Sequence, residues 1–262
     1  MDNPSSRGLR VTARVAVLVY PGTNSEEETL RILHDVGVNA ELVHWSRAET
    51  LGRYDAFVLP GGFAYEDRIR AGAVAAHDRL TDAVIEGAQG GKLVLGICNG
   101  AQMLLEAGLV PGTGEIRRPT AAFTKNAPLG KFVCKHVYVQ LAIDPTRCAV
   151  TAALEPQALI PAWAAHGEGR LAASEQHLAE IRAGNHIAFV YADNPNGSAL
   201  DVAALTNREG NVLAIMPHPE RDAWTFNHPM THIGRAAFGN VAKALAPSGG
   251  SLLFESFARA LQ

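Results

Sequence analysis

Three short, uninterrupted apolar runs, the first and second cut off by Pro-Gly turns and the third by an Asn-Gly step, restrict this chain more than any other feature. They are residues 15–20 (VAVLVY), 56–59 (AFVL) and 93–97 (LVLGI). A strand with one wet face alternates polar and apolar residues, whereas a strand that is apolar throughout must be covered on both faces. Helical patterns lie between the runs. After Pro21-Gly22, Ser25 stands three residues before Glu28, a capping-box spacing, and Leu30, Ile32 and Leu33 give the next helix an apolar side that ends at Gly37. Further elements are expected at 40–43 (strand), 73–89 (helix) and 100–107 (helix, with Gly108 just past its end). This β-α-β-α rhythm predicts an α/β fold with a doubly wound, mainly parallel sheet.

The second half changes character. Residues 132–141, 186–191, 200–206 and 211–216 read as strands with few helices between them, and 207–210 (NREG) as a turn. Antiparallel strands added to the parallel sheet are the natural outcome. Residues 1–12 read as a flexible tail and 13–262 as a single domain. The stretch 230–262 reads as two helical pieces broken by Pro247, Gly249 and Gly250.

Composition excludes several classes of function. Hydrophobic residues at 47% and charged residues at 19% supply a core and argue against wholesale disorder. A net charge of -3 gives no grip on phosphates, and Arg117-Arg118 is too short to make a basic patch. Three cysteines make no disulfide framework, and no Cys/His spacing suggests zinc, so no metal is expected. The polar N-terminus lacks the apolar core of a signal peptide, and no run approaches the roughly 20 residues of a membrane span. A reducing cytoplasm is the expected location.

Chemistry concentrates at Gly96-Ile97-Cys98-Asn99-Gly100, a G-x-C-x-G pattern between a buried strand and a helix. A sharp strand-to-helix turn lifts a nucleophile above the carboxyl ends of the strands, and small flanking residues leave room for it. The helix start behind Cys98 supplies free backbone N–H groups. Cys134 and Cys148 lack such a setting and read as packing residues. The pattern alone does not choose among hydrolase, redox sensor and lyase.

The matching base lies in 216–221 (MPHPER), directly after the apolar run 212–215. Two prolines are expected to hold this stretch extended, which puts His218 and Glu220 on one side. Glu220 then orients the imidazole, leaving its second nitrogen free for the thiol proton. Among the ten histidines the rival is His166, in 166–169 (HGEG), where the glycines mark either close backbone approach to a ligand or partner or simply a tight turn. His136 and His228 have no such context and read as surface or packing residues. Gly62, after the third strand, and the Asn99 N–H are the expected oxyanion donors.

Taken together, these segments resemble class I glutamine amidotransferases, which share a flavodoxin-like sheet. Within them the chain is similar to the glutaminase subunits of phosphoribosylformylglycinamidine synthases. The resemblance rests on 96–102 (GICNGAQ) and 216–221, supported by 21–28 (PGTNSEEE), 60–72 (PGGFAYEDRIRAG), 165–169 (AHGEG) and 194–213 (NPNGSALDVAALTNREGNVL), all in order. It implies that Cys98 attacks the side-chain amide of glutamine, that His218 moves the protons with Glu220 orienting it, and that Gln102 reaches back toward the bound glutamine. It also implies that the chain needs no cofactor. Ammonia would pass to a separate synthetase subunit that uses ATP and Mg, with a small third subunit bridging the assembly.

The chain departs from the family at Glu66, where glycine is common, and at Ala101, often larger in relatives. The stretch 222–250 is longer than in compact relatives. Three rival readings remain: a glutaminase serving another synthase, a cysteine hydrolase or lyase of the related single-domain type, and a silent regulatory module.

Overall fold

A computed structural model describes residues 12–229 and 241–262 of the chain. The expected N-terminal tail therefore lies outside the described residues except for Thr12, as does 230–240 of the expected C-terminal helical pieces. The elements are β1 (Arg14–Val19), α1 (Glu26–Asp35), β2 (Asn39–His44), β3 (Ala56–Leu59), α2 (Arg79–Gln89), β4 (Leu93–Ile97), α3 (Asn99–Glu106), β5 (Ala121–Thr124), β6 (Val133–Leu141), β7 (Leu159–His166), β8 (Arg170–Ala173), α4 (Glu175–Ala183), β9 (Ile187–Tyr191), β10 (Val202–Thr206), β11 (Val212–Ile215), α5 (Val241–Ala244) and α6 (Ser251–Ala260).

Nine of these strands form one sheet in the order β2-β1-β3-β4-β11-β10-β9-β6-β7. The pairs β1–β2, β1–β3, β3–β4 and β4–β11 are parallel, and β11–β10, β10–β9, β9–β6 and β6–β7 are antiparallel. The parallel part has the flavodoxin-like order, in which ligands sit at the carboxyl ends of the strands. The apolar runs explain the centre: β3, β4 and β11 are buried at every position. Each fully buried Val, Leu or Ile contributes about 1.5–3 kcal/mol. β5 and β8 pair separately. No helix among the described residues is long and apolar enough to cross a membrane.

Local expectations fail at two helix starts. Ser25 precedes α1 but makes no capping bond; its hydroxyl donates to the Gly61 carbonyl at 3.2 Å instead. The helix expected over 73–89 begins only at Arg79, because Asp78 caps it by accepting from Leu80 N–H at 2.7 Å. The strand β7 and the helix α4 lie outside the expected elements: β7 carries Pro161 and three alanines, a weak strand signature.

Candidate functional site

Strand pairing brings the site together. Ile97 of β4 is in register with Ile215 of β11, and the Cys98 N–H donates to the Ile215 carbonyl at 2.8 Å. Cys98 therefore leaves the sheet beside the segment that leads to His218. It does so at φ 50°, ψ −107°, a conformation that costs a non-glycine residue on the order of 1–3 kcal/mol. The flanking glycines are obligatory. A Cβ on Gly100 would lie 2.0 Å from the Leu59 carbonyl oxygen, and one on Gly96 would lie 2.5 Å from a Leu104 methyl. Cys98 is 5% exposed and makes no side-chain cap to α3, so the N–H groups of that first turn keep their freedom.

His218 is fixed from the other side. Its segment pairs with β7: His218 N–H donates to the Trp163 carbonyl at 2.8 Å, and Trp163 N–H to the His218 carbonyl at 3.1 Å. Its Nδ1 donates to Glu220 Oε1 at 2.5 Å, with both side chains buried. The route to this bond differs from the extended one expected. Pro219 is helical (φ −70°, ψ −29°) and starts a short turn over Glu220–Asp222, so the carboxylate folds back on the ring. Burial pushes the imidazole down, but the negative charges of Glu220 and Cys98, together with hydrogen bonds to both, outweigh it and raise its pKa to about 10.

Gly61 shows how close thiol and imidazole are. A Cβ placed there would lie 2.4 Å from His218 Cε1, 3.0 Å from Ser25 Oγ and 3.3 Å from Cys98 Cβ. The backbone after β3 packs beside both groups. Gly62 follows, tightly apposed to the loop after β1: a Cβ there would lie 2.6 Å from the Gly22 carbonyl oxygen.

The other expected residues line the same end of the sheet. Asn99 contributes more than its N–H. Its side-chain oxygen accepts from Ala64 N–H at 2.9 Å, and its amide donates to Gln102 Oε1 at 2.9 Å and Asp67 Oδ1 at 3.2 Å. Gln102 donates to the Glu168 carbonyl at 2.6 Å. Glu168 in turn accepts from Ala71 N–H at 3.1 Å through its carboxylate. Arg70 grips Glu106 of α3 with two 2.5 Å bonds. The 62–72 loop and the 166–169 turn are thereby tied to α3. Within the loop Tyr65, Glu66 and Asp67 have φ of 54°, 60° and 52°, a consecutive left-handed run. Asp67 is pushed up to about 6 by burial and by Glu168, against the Asn99 bond.

His166 does not compete for the base. It is buried with neither ring nitrogen partnered among the described residues, and burial, with the His218 charge, pushes it down to about 4. The glycine at 169 answers to the ring itself, since a Cβ there would meet it at 2.3 Å. The roles of Ser25, Asn99 and Glu168 as loop anchors carried no sequence signal, because each depends on long-range contacts.

Comparison with known proteins agrees with this architecture. Residues 12–255 match the CobB/CobQ-like glutamine amidotransferase domain. A chain in the structure of PurLQS from Thermotoga maritima is 30% identical, with TM-score 0.75, covering 95% of this chain and 99% of that one. Two more distant structures share the fold. One is a glutamine amidotransferase from Thermotoga maritima, 14% identical with TM-score 0.55, covering 95% of this chain and 98% of its own. The other is the glutaminase domain of Trypanosoma brucei CTPS with bound acivicin, 16% identical with TM-score 0.56, covering 95% of this chain and 94% of its own. A match over nearly the full length, joined to this sheet order, settles the family: the chain belongs to the CobB/CobQ-like glutamine amidotransferases.

Proposed function

We propose that the chain hydrolyses glutamine to glutamate and ammonia through Cys98, His218 and Glu220, and hands the ammonia to a synthetase subunit. The observation that carries this reading is the 2.5 Å bond from His218 Nδ1 to Glu220 Oε1, together with the close packing of Gly61 against both the His218 ring and Cys98. In the first step the sulfur attacks the side-chain amide carbon. The C–N bond breaks as His218 gives its proton to the departing nitrogen, leaving a glutamyl thioester and ammonia. The neutral imidazole then takes a proton from water, whose oxygen attacks the thioester. The C–S bond breaks with its electron pair going to sulfur, glutamate leaves, and the sulfur and the protonated imidazole are as they began.

Negative charge on the tetrahedral carbonyl oxygen is held by the N–H groups of Gly62 and Asn99. Asn99 sits at the first position of α3, where helical bonding leaves the N–H free. Gln102 supports the 166–169 turn beside the substrate.

The ordered motifs and the likeness to a chain of PurLQS favour a place in phosphoribosylformylglycinamidine synthase. There a partner subunit, using ATP and Mg, converts formylglycinamide ribonucleotide to formylglycinamidine ribonucleotide. A small third subunit bridges the two, and the assembly is cytoplasmic. The test is Cys98→Ala in the reconstituted complex. Glutamine-dependent synthesis is expected to vanish while synthesis from added ammonia persists. Equal loss of both would show that Cys98 serves the ATP step or the assembly instead.

A further inference from the structure

Three side chains from separate elements converge next to the turn that follows His218. His136 lies on β6, Asp222 ends the turn that begins at Glu220, and His228 follows six residues later. Their donor atoms all lie within 4.8 Å of one another. His136 Nε2 is 2.7 Å from Asp222 Oδ2, and the two imidazoles meet edge to face with centroids 5.0 Å apart. Neither histidine carries a sequence signal for this role, because no local spacing links them.

We infer that His136, Asp222 and His228 form a binding site for a zinc-class divalent cation, one that ties β6 to the turn carrying His218 and Glu220. The donor set selects the metal. Two imidazole nitrogens and one carboxylate oxygen suit Zn²⁺ or Co²⁺, whereas Mg²⁺ and Ca²⁺ take oxygen shells. In a tetrahedral zinc site, bonds of about 2.0–2.2 Å put neighbouring donor atoms roughly 3.3–3.5 Å apart. The His136–Asp222 contact must open and the widest separation must close, both by side-chain rotation. Three protein donors leave the fourth position for water or for the Tyr138 hydroxyl, which lies 3.3 Å from His228 Nε2.

Outer contacts already orient the donors, as they do at built metal sites. The Asp222 carboxylate is fully buried, and its second oxygen accepts from the Ser248 hydroxyl at 2.7 Å. The Gly250 N–H donates to the Asp222 carbonyl at 3.1 Å. The His136 ring is flanked edge-on by Tyr138 and Trp163. Trp163 is the same residue whose backbone pairs with His218. A bound cation would therefore stiffen the turn that presents His218 to Cys98. The inference does not depend on the amide chemistry.

The test uses the untagged full chain in a Cys98→Ser background, so that the thiol cannot recruit metal. After chelation and dialysis against Zn²⁺, about one zinc per chain is expected to remain, set by a three-donor site. Co²⁺ should give the visible absorption of a tetrahedral site. Ser248→Ala should weaken Zn²⁺ binding roughly 10- to 100-fold, and His228→Ala should weaken it further. Zn²⁺ should raise the urea midpoint of the parent and leave that of His228→Ala unmoved. Retention of no zinc by the parent would overturn the inference, and so would equal affinity in His228→Ala and the parent.

Discussion

Replacing Gly61 with alanine adds one methyl group at the point where thiol and imidazole meet. The added Cβ would lie 2.4 Å from His218 Cε1, against an ordinary carbon contact of about 3.5–4.0 Å. The imidazole must then retreat by roughly 1 Å or more. The methyl cannot move aside, because Ser25 Oγ at 3.0 Å and Cys98 Cβ at 3.3 Å close the other directions. A displacement of that size at reacting groups costs on the order of 10²-fold in rate. Overpacking one methyl costs about 1–3 kcal/mol, and in a chain of this size each kcal/mol lowers the melting temperature by roughly 2–4 °C. The assay is glutamine turnover in the reconstituted complex, with synthesis from added ammonia and a melting curve as controls. Turnover should fall about 100-fold while the ammonia-dependent reaction persists. Gly52→Ala is the matched control, since a Cβ there meets nothing within 4 Å. Parental turnover by a folded Gly61→Ala chain would refute the placement of His218 against Cys98.

Glu66→Gly should stabilise the chain by up to about 1.6 kcal/mol. It removes a left-handed cost of about 1–2 kcal/mol and gives up about 0.4–1 kcal/mol of chain entropy; a clear fall in melting temperature would contradict this. His218 contributes a pH dependence of known sign. Its pKa rises from 6.5 to about 10 on folding, so its stabilisation is complete below pH 6.5 and is lost as pH climbs toward 10. In Glu220→Gln that loss should come at lower pH, and parallel denaturation midpoints across the range would sink the assignment. Gln102→Leu strands the Glu168 carbonyl and leaves the Asn99 amide with only its bond to Asp67, so a loss of about 1–3 kcal/mol is expected. A raised KM for glutamine with unchanged melting would mark Gln102 as a pure substrate contact.

The parallel half of the fold was legible because its strands are apolar on both faces. The runs at 15–20, 56–59 and 93–97 map onto β1, β3 and β4 almost residue for residue. The cysteine and the double-proline histidine were legible for a related reason: each follows a buried strand directly, and β4 and β11 turn out to be neighbours. What escaped depended on contacts far apart in the chain. Ser25 spends its hydroxyl on Gly61 rather than on α1. β7, poor in β-branched residues, holds its place through its pairing with β6 and His218. The H-x-E spacing implies the bond from His218 to Glu220 but not its geometry, because Pro219 adopts a helical conformation that proline permits as readily as an extended one.

Covalent labelling with a glutamine-analogue electrophile, followed by peptide mapping, puts the chemistry to its most direct trial. Cys134 is exposed, whereas Cys98 and Cys148 are buried, so accessibility alone favours Cys134. Modification confined to Cys98, blocked by glutamine and absent in His218→Ala, is the expected result. A label on Cys134, or on Cys98 at a rate indifferent to His218, would contradict the proposal that the elbow cysteine is the nucleophile.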